Sequence, residues 1–154
     1  MSKYLNPNNS LQRLREDWQA HNGIIIAVDF DSTLIPYMDD ERGYMNDFEK
    51  VRQQIRDLKT AGCTIIINTA SEESRWADIM NQLADMKIGY HYFNKSPDYI
   101  PNIGRNGKVY ANLYYDDRGG LYETYTHAHI LLLEWRVREL EMQVKSIGKQ
   151  LSQP

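Results

Sequence analysis

Apolar residues in this chain fall into short unbroken runs, separated by longer stretches in which they recur every three or four positions. Ile24-Ile25-Ile26-Ala27-Val28 and Cys63-Thr64-Ile65-Ile66-Ile67 are β-branched and apolar on both faces, the pattern of strands buried between two layers. The stretch Ile88–Phe93 and the triplet Leu113-Tyr114-Tyr115 predict a third and a fourth strand. Helical spacing appears in Leu11, Leu14 and Trp18, with Ser10 as N-cap, and in Phe48, Val51, Ile55 and Leu58, closed by Ala61-Gly62. A third helix carries Trp76, Ile79, Met80 and Leu83, with Ser71 as N-cap and Glu72 and Glu73 in its first turn to suit the helix dipole. Ser32 to Tyr44 reads as a loop or small flap with a solvated acidic run at Asp39-Asp40-Glu41, and Asn94 to Gly107 as loop or turn, with Pro97, Pro101 and Gly104.

The last periodic stretch is longer. Ile130, Leu133, Val137, Leu140, Val144, Ile147 and Leu151 alternate in steps of three and four, a heptad seam on a helix expected over 127–149 and about 36 Å long. Two outcomes are open. The distal half pairs with a copy of itself to give a homo-oligomer, or the stripe packs on the domain's own core and frays at Gly148.

The order strand, helix, strand, helix, strand, strand, helix predicts an α/β fold: a three-layer, doubly wound parallel sheet with a long C-terminal helix. At 154 residues the chain has room for a single domain, with its core over about 22–128. Apolar content of 42% and charged content of 25% exclude wholesale disorder, and a net charge of −3 speaks against broad electrostatic capture of nucleic acid. Cys63 has no cysteine partner and sits in an apolar run, which suits a buried thiol in a reducing compartment. With no signal-peptide pattern and no apolar run near the roughly 20 residues of a membrane span, a cytoplasmic location and no membrane partner are expected.

In open α/β sheets ligands bind beyond the C-terminal ends of the strands. Strand one is followed by Asp29-Phe30-Asp31-Ser32-Thr33 and strand two by Asn68 and Thr69, while Lys95, Lys108 and Asp116-Asp117 lie near strands three and four. Carboxylates crowded on one rim repel one another unless a cation compensates, and hard oxygen ligands suit Mg²⁺. Such a set, with a hydroxyl and a lysine, is equipment for phosphoryl transfer.

The strings I-I-I-A-V-D-F-D-S-T, I-I-I-N-T-A-S and L-Y-Y-D-D-R, in that order, resemble the first, second and fourth motifs of the haloacid dehalogenase superfamily of phosphatases. The resemblance spans roughly residues 24 to 118. It implies that Asp29 is the nucleophile and an Mg²⁺ ligand. Asp31 would be the general acid and base and would offer its carbonyl to the metal. Thr69 would bond the transferring phosphoryl group, Asp116 would ligate Mg²⁺, and Asp117 would ligate through water or orient. The motif lysine is open between Lys108, whose surroundings resemble compact 5′(3′)-deoxyribonucleotidase-like and phage-type members, and Lys95, 21 residues before Asp116. Lys108 is the better match by its surroundings. On one continuous strand, however, it would sit about 26 Å from Asp116, so it serves only from a turn beside the rim.

The short interval after the first motif implies almost no cap domain, and so a rim open to a phosphorylated small molecule, a nucleotide or a nucleic-acid end. Tyr37 on the flap could stack on a base or cover apolar surface, Arg118 could meet phosphate, and His127 and His129 are expected in solvent. Two other classes remain. One is a catalytically silent relative that uses the long helix for assembly. The other is a receiver-like phosphoacceptor domain, which the order of the acidic motifs disfavours.

Overall fold

The computed structural model describes residues 6–100 and 109–151. In chain order they form α1 (Pro7–His21), β1 (Ile25–Val28), a 3₁₀ turn (Asp39–Tyr44), α2 (Met45–Thr60), β2 (Thr64–Ile67), a second 3₁₀ turn (Glu73–Arg75), α3 (Trp76–Asp85), β3 (Tyr92–Phe93), β4 (Leu113–Tyr115) and α4 (Leu121–Leu151). The strands make one sheet in the order β3-β2-β1-β4, with every pairing parallel. The fold is α/β, as the alternation of runs and periodic stretches predicts.

Strand alternation sorts the core. Ile24, Ile26 and Val28, with Ile65, Ile67, Leu113 and Tyr115, join Leu14 and Trp18 of α1, Val51, Ile55 and Leu58 of α2, Ile79 and Leu83 of α3, and Ala128, Leu131 and Leu132 of α4 in one cluster. Each fully buried aliphatic side chain there contributes about 1.5–3 kcal/mol. The alternate residues Ile25, Ala27 and Ile66 belong to a smaller cluster with Val109, against which Tyr92, Ile100, Ala111 and Tyr114 pack. All four described helices thus feed the first cluster. The second helical layer of the expected three-layer sandwich is not found among the described residues.

Several element ends differ from expectation for local reasons. Helix α1 starts before Ser10: Asn6 caps it, its side chain accepting from Asn8 N–H at 3.0 Å, and Pro7 sits where a missing N–H costs nothing. Ser71 does not cap a helix either, since a 3₁₀ turn intervenes before α3. Only Tyr92–Phe93 of the expected third strand joins the ladder. Gly23 and Gly62 open the approaches to β1 and β2 with positive φ, and a Cβ on Gly23 would meet Gly62 O at 2.5 Å, so neither position admits a side chain without rearrangement.

Helix α4 is longer than expected at both ends. It is tied to α1 by Arg15–Glu134 (2.7 Å) and to α2 by Arg136–Asp57 (2.9 Å). No helix among the described residues is long and apolar enough to cross a membrane.

Candidate active site

Val28 pairs with Ile67 on one side and Tyr115 on the other, so three strands end level. The ladder continues one residue further: Asp29 N–H donates to Tyr115 O and Asn68 N–H to Val28 O, both at 2.8 Å. Asp29, Asn68 and Asp116 therefore emerge side by side. Strand order also reverses here, with β2 and β3 on one side of β1 and β4 on the other, the place where α/β sheets open a crevice.

The turn after β1 sorts its side chains by burial. Phe30, Thr33 and Leu34 have no exposed surface, and the N–H groups of Leu34 and Ile35 both donate to Phe30 O. This winding puts Ser32 in the left-handed region at φ 56°, an uncommon conformation for a residue with a Cβ, and leaves Asp29, Asp31 and Ser32 lining the cleft. The turn is braced from three directions. Thr33 Oγ1 accepts from Asp117 N–H at 3.1 Å, and Arg52 donates to Leu34 O at 3.1 Å. Glu41 accepts from Ser32 Oγ at 3.0 Å and from the N–H groups of Tyr37 and Met38. These bonds hold the Glu41 carboxyl below its ordinary pKa. Within the acidic run, then, Glu41 ties the flap down, while Asp39 and Asp40 are exposed.

The cleft has a volume of about 510 Å³ and gathers five of the six predicted site residues, Asp29, Asp31, Thr69, Asp116 and Asp117. Thr69 is buried, and its Oγ1 accepts from Ser71 N–H at 3.1 Å, which leaves the hydroxyl proton for an acceptor in the cleft. Asn94 Oδ1 fixes the same turn by accepting from Thr69 N–H at 2.8 Å. Lys108 lies outside the described residues. Lys95 does not line the cleft; its ammonium is 3.5 Å from Asp98 and 5.4 Å from the Tyr92 ring centroid. Tyr37 and Arg118 do line it. His129 stacks on Tyr125 instead, with ring centroids 6.4 Å apart.

The residue missed in the sequence is Arg75. Its guanidinium grips Asp31 through both terminal nitrogens, Nη1 to Oδ2 at 3.0 Å and Nη2 to Oδ1 at 3.1 Å, and Ser71 Oγ donates to Asp31 Oδ2 at 3.0 Å. The string S-E-E-S-R carries no motif for it; the 3₁₀ turn Glu73–Arg75 is what brings the arginine back over the rim. The helix-cap reading of Ser71 hid it.

Asp29 is the perturbed acid of the cleft. Burial pushes its carboxyl up to about 6, a hydrogen bond from Phe30 N–H works against that, and the charges of Asp116, Asp117 and Asp31 raise it further. Surplus negative charge around hard carboxylate oxygens is what a divalent cation relieves, so the donor set fits Mg²⁺ in its chemistry. Its arrangement is open: among the described residues no three His, Cys, Asp or Glu side chains are drawn together as a ligand set, and the Asp31 carboxylate is turned to Arg75. Cys63, with burial pushing its thiol up to about 12, is inert packing.

No protein-family model matches the chain, and no curated protein matches it. A solved structure of a conserved protein from Bacteroides thetaiotaomicron is similar to it, at 21% identity and a TM-score of 0.50, over 64% of this chain and 78% of that one. That likeness concerns the fold alone, and supports the α/β assignment.

Proposed function

We propose that this chain is a Mg²⁺-dependent phosphomonoester hydrolase of the haloacid dehalogenase type, with Asp29 as covalent nucleophile. The observation that carries the reading is the convergence of Asp29, Asp31, Thr69, Asp116 and Asp117 on one cleft at a reversal of strand order.

In this reading Asp29 Oδ attacks the phosphorus, and the ester oxygen leaves with a proton from Asp31. Asp31 then takes a proton from water, which hydrolyses the aspartyl-phosphate and restores Asp29. The Thr69 hydroxyl donates to a phosphoryl oxygen. Asp29, Asp116, Asp117 and the carbonyl of Asp31 would hold Mg²⁺, which when bound neutralises the carboxylates and the phosphate. Arg75 has a double part. It holds both oxygens of the Asp31 carboxylate, and an incoming phosphate, which offers the same two-oxygen geometry, can draw the guanidinium away and leave Asp31 to the substrate. Arg75 thereby supplies cleft charge that the motif lysine supplies in the superfamily. An open cleft with Tyr37 exposed on its flap suits a nucleotide or a nucleic-acid end phosphate.

One observation favours the silent alternative. Asp31 is already satisfied by Arg75 and Ser71, as it would be in a protein that binds without turnover. The test is a phosphatase panel, from p-nitrophenyl phosphate through nucleotides to 3′- and 5′-phosphorylated oligonucleotides, with and without Mg²⁺. Mg²⁺-dependent turnover lost in Asp29→Asn supports the hydrolase. Turnover that survives in Asp29→Asn refutes the nucleophile, and no turnover across the panel transfers the weight to the silent assembly protein.

A further inference from the structure

Helix α4 has two apolar faces. Ala128, Leu131 and Leu132 are buried in the core and Trp135 packs against it. At about 100° per residue, the stripe of Leu133, Val137, Leu140, Val144, Ile147 and Leu151 points nearly the opposite way. These side chains are 47%, 54%, 60%, 68%, 55% and 83% exposed. The stripe therefore does not pack on the domain's own core, and the helix does not stop at Gly148 but continues to Leu151. From Arg136 onward about 24 Å of helix carries an apolar seam that, among the described residues, is left outside the core.

We propose that this seam joins two copies of the chain in a parallel, two-stranded coiled coil. Taking Ile130 as position a places Ile130, Val137 and Val144 at a, and Leu133 and Leu140 at d. β-Branched residues at a with leucine at d are the combination that selects parallel pairs over trimers and tetramers. The departures, Ile147 at d and Leu151 at a, lie in the last turn and a half. The flanking charges agree on direction. Arg136 falls at g and Glu141 at the following e, so a parallel, in-register pair sets Arg136 of each copy beside Glu141 of the other, twice by symmetry. An antiparallel pair would instead set the e positions, Glu134 and Glu141, on the same flank. Arg136 already holds Asp57 at 2.9 Å but is half exposed, and a guanidinium has donors enough for two carboxylates. Glu141 has no ion-pair partner among the described residues. The seam faces away from the residues that bury α4 in its own domain, so two domains can flank the coil without competing for it.

Light scattering on the full chain at tens of micromolar tests this. A dimer is expected, and Val144→Glu should be monomeric with unchanged thermal unfolding of the domain, since Val144 touches no core. Ile147→Cys should cross-link to itself under mild oxidation, because a d residue meets its own copy only in a parallel, in-register pair; wild type, with Cys63 buried, should not. Arg136→Glu and Glu141→Arg should each weaken the dimer about tenfold, and the two together should restore it. A monomeric wild type overturns the proposal, as does a higher oligomer. So does a dimer indifferent to Val144→Glu, or one in which Ile147→Cys fails to cross-link.

Discussion

The hydroxyl of Thr33, fully buried, accepts a hydrogen bond from the backbone N–H of Asp117 at 3.1 Å. One bond thereby joins the turn after β1 to the turn after β4 and sets the distance between the two acidic motifs. Thr33→Val keeps the shape of the side chain and leaves that N–H without its acceptor, at a cost of about 1–2 kcal/mol. Denaturant unfolding should show this loss, and Thr33→Ser should recover most of it. Equal stability in all three proteins would mean that water replaces the bond and that the motifs are positioned by their strands alone.

Arg75 and Asp31 make the most exchangeable contact in the cleft. Both are partly exposed, and a phosphate can offer the guanidinium the same two-oxygen geometry as the carboxylate. If Arg75 transfers to substrate, Arg75→Ala should lower kcat/KM by about 10- to 100-fold, and Arg75→Lys should recover only part, since an ammonium lacks the fork. Steady-state kinetics on a substrate found in the panel would decide. A rate that rises in Arg75→Ala would make the pair an inhibitory latch on Asp31.

Much of this was legible in the chain, and for identifiable reasons. Uniformly apolar runs can only be central strands, so β1 and β2 were found to within a residue, and residues placed directly after a strand must reach the rim, so Asp29, Asp31, Thr69, Asp116 and Asp117 were found together. What failed was read from local propensity where tertiary contact decides. Ser71 resembles a helix cap, yet its hydroxyl is spent on Asp31. Leu121 to Thr126 holds residues of modest helix propensity, yet it is helical because α4 packs on β4 and α2. Lys95 had the right spacing but stands in the bend after β3, beside Tyr92 and Asp98 and outside the cleft. Arg75 had no motif to announce it. Its role exists only once the 3₁₀ turn brings it over Asp31.

The raised carboxyl of Asp29 makes a prediction about stability. Its folded pKa of about 6 lies above the ordinary value of 3.8, so between those values the folded state holds the proton more tightly than the unfolded chain. Stability should fall as pH rises from about 4 to 6 and stay reduced above that. Asp29→Asn removes the charge. In metal-free buffer it should therefore be more stable than wild type at pH 7, by about 1–2 kcal/mol once screening in an open cleft is allowed for, and no more stable near pH 4. Mg²⁺ should raise the Tm of wild type at pH 7 and have less effect on the variant. A difference between the two proteins that does not change with pH would remove the electrostatic account of this residue.

Gly148 lies within the projecting part of α4, three residues before its end. Glycine in a helix costs about 0.8–1 kcal/mol relative to alanine, and nothing lies within 4 Å of where its Cβ would be, so Gly148→Ala meets no steric penalty. In a single chain the gain would be small, because an unsupported helix end is partly melted whichever residue it carries. In a coiled-coil dimer both copies are held helical to the last turn, so the propensity difference enters the association constant twice. Gly148→Ala should therefore tighten the dimer by about tenfold, measured by sedimentation equilibrium. In the Val144→Glu background it should produce only a slight increase in helical circular dichroism. Unchanged association in the wild-type background would mean that the residues beyond Ile147 lie outside the paired segment.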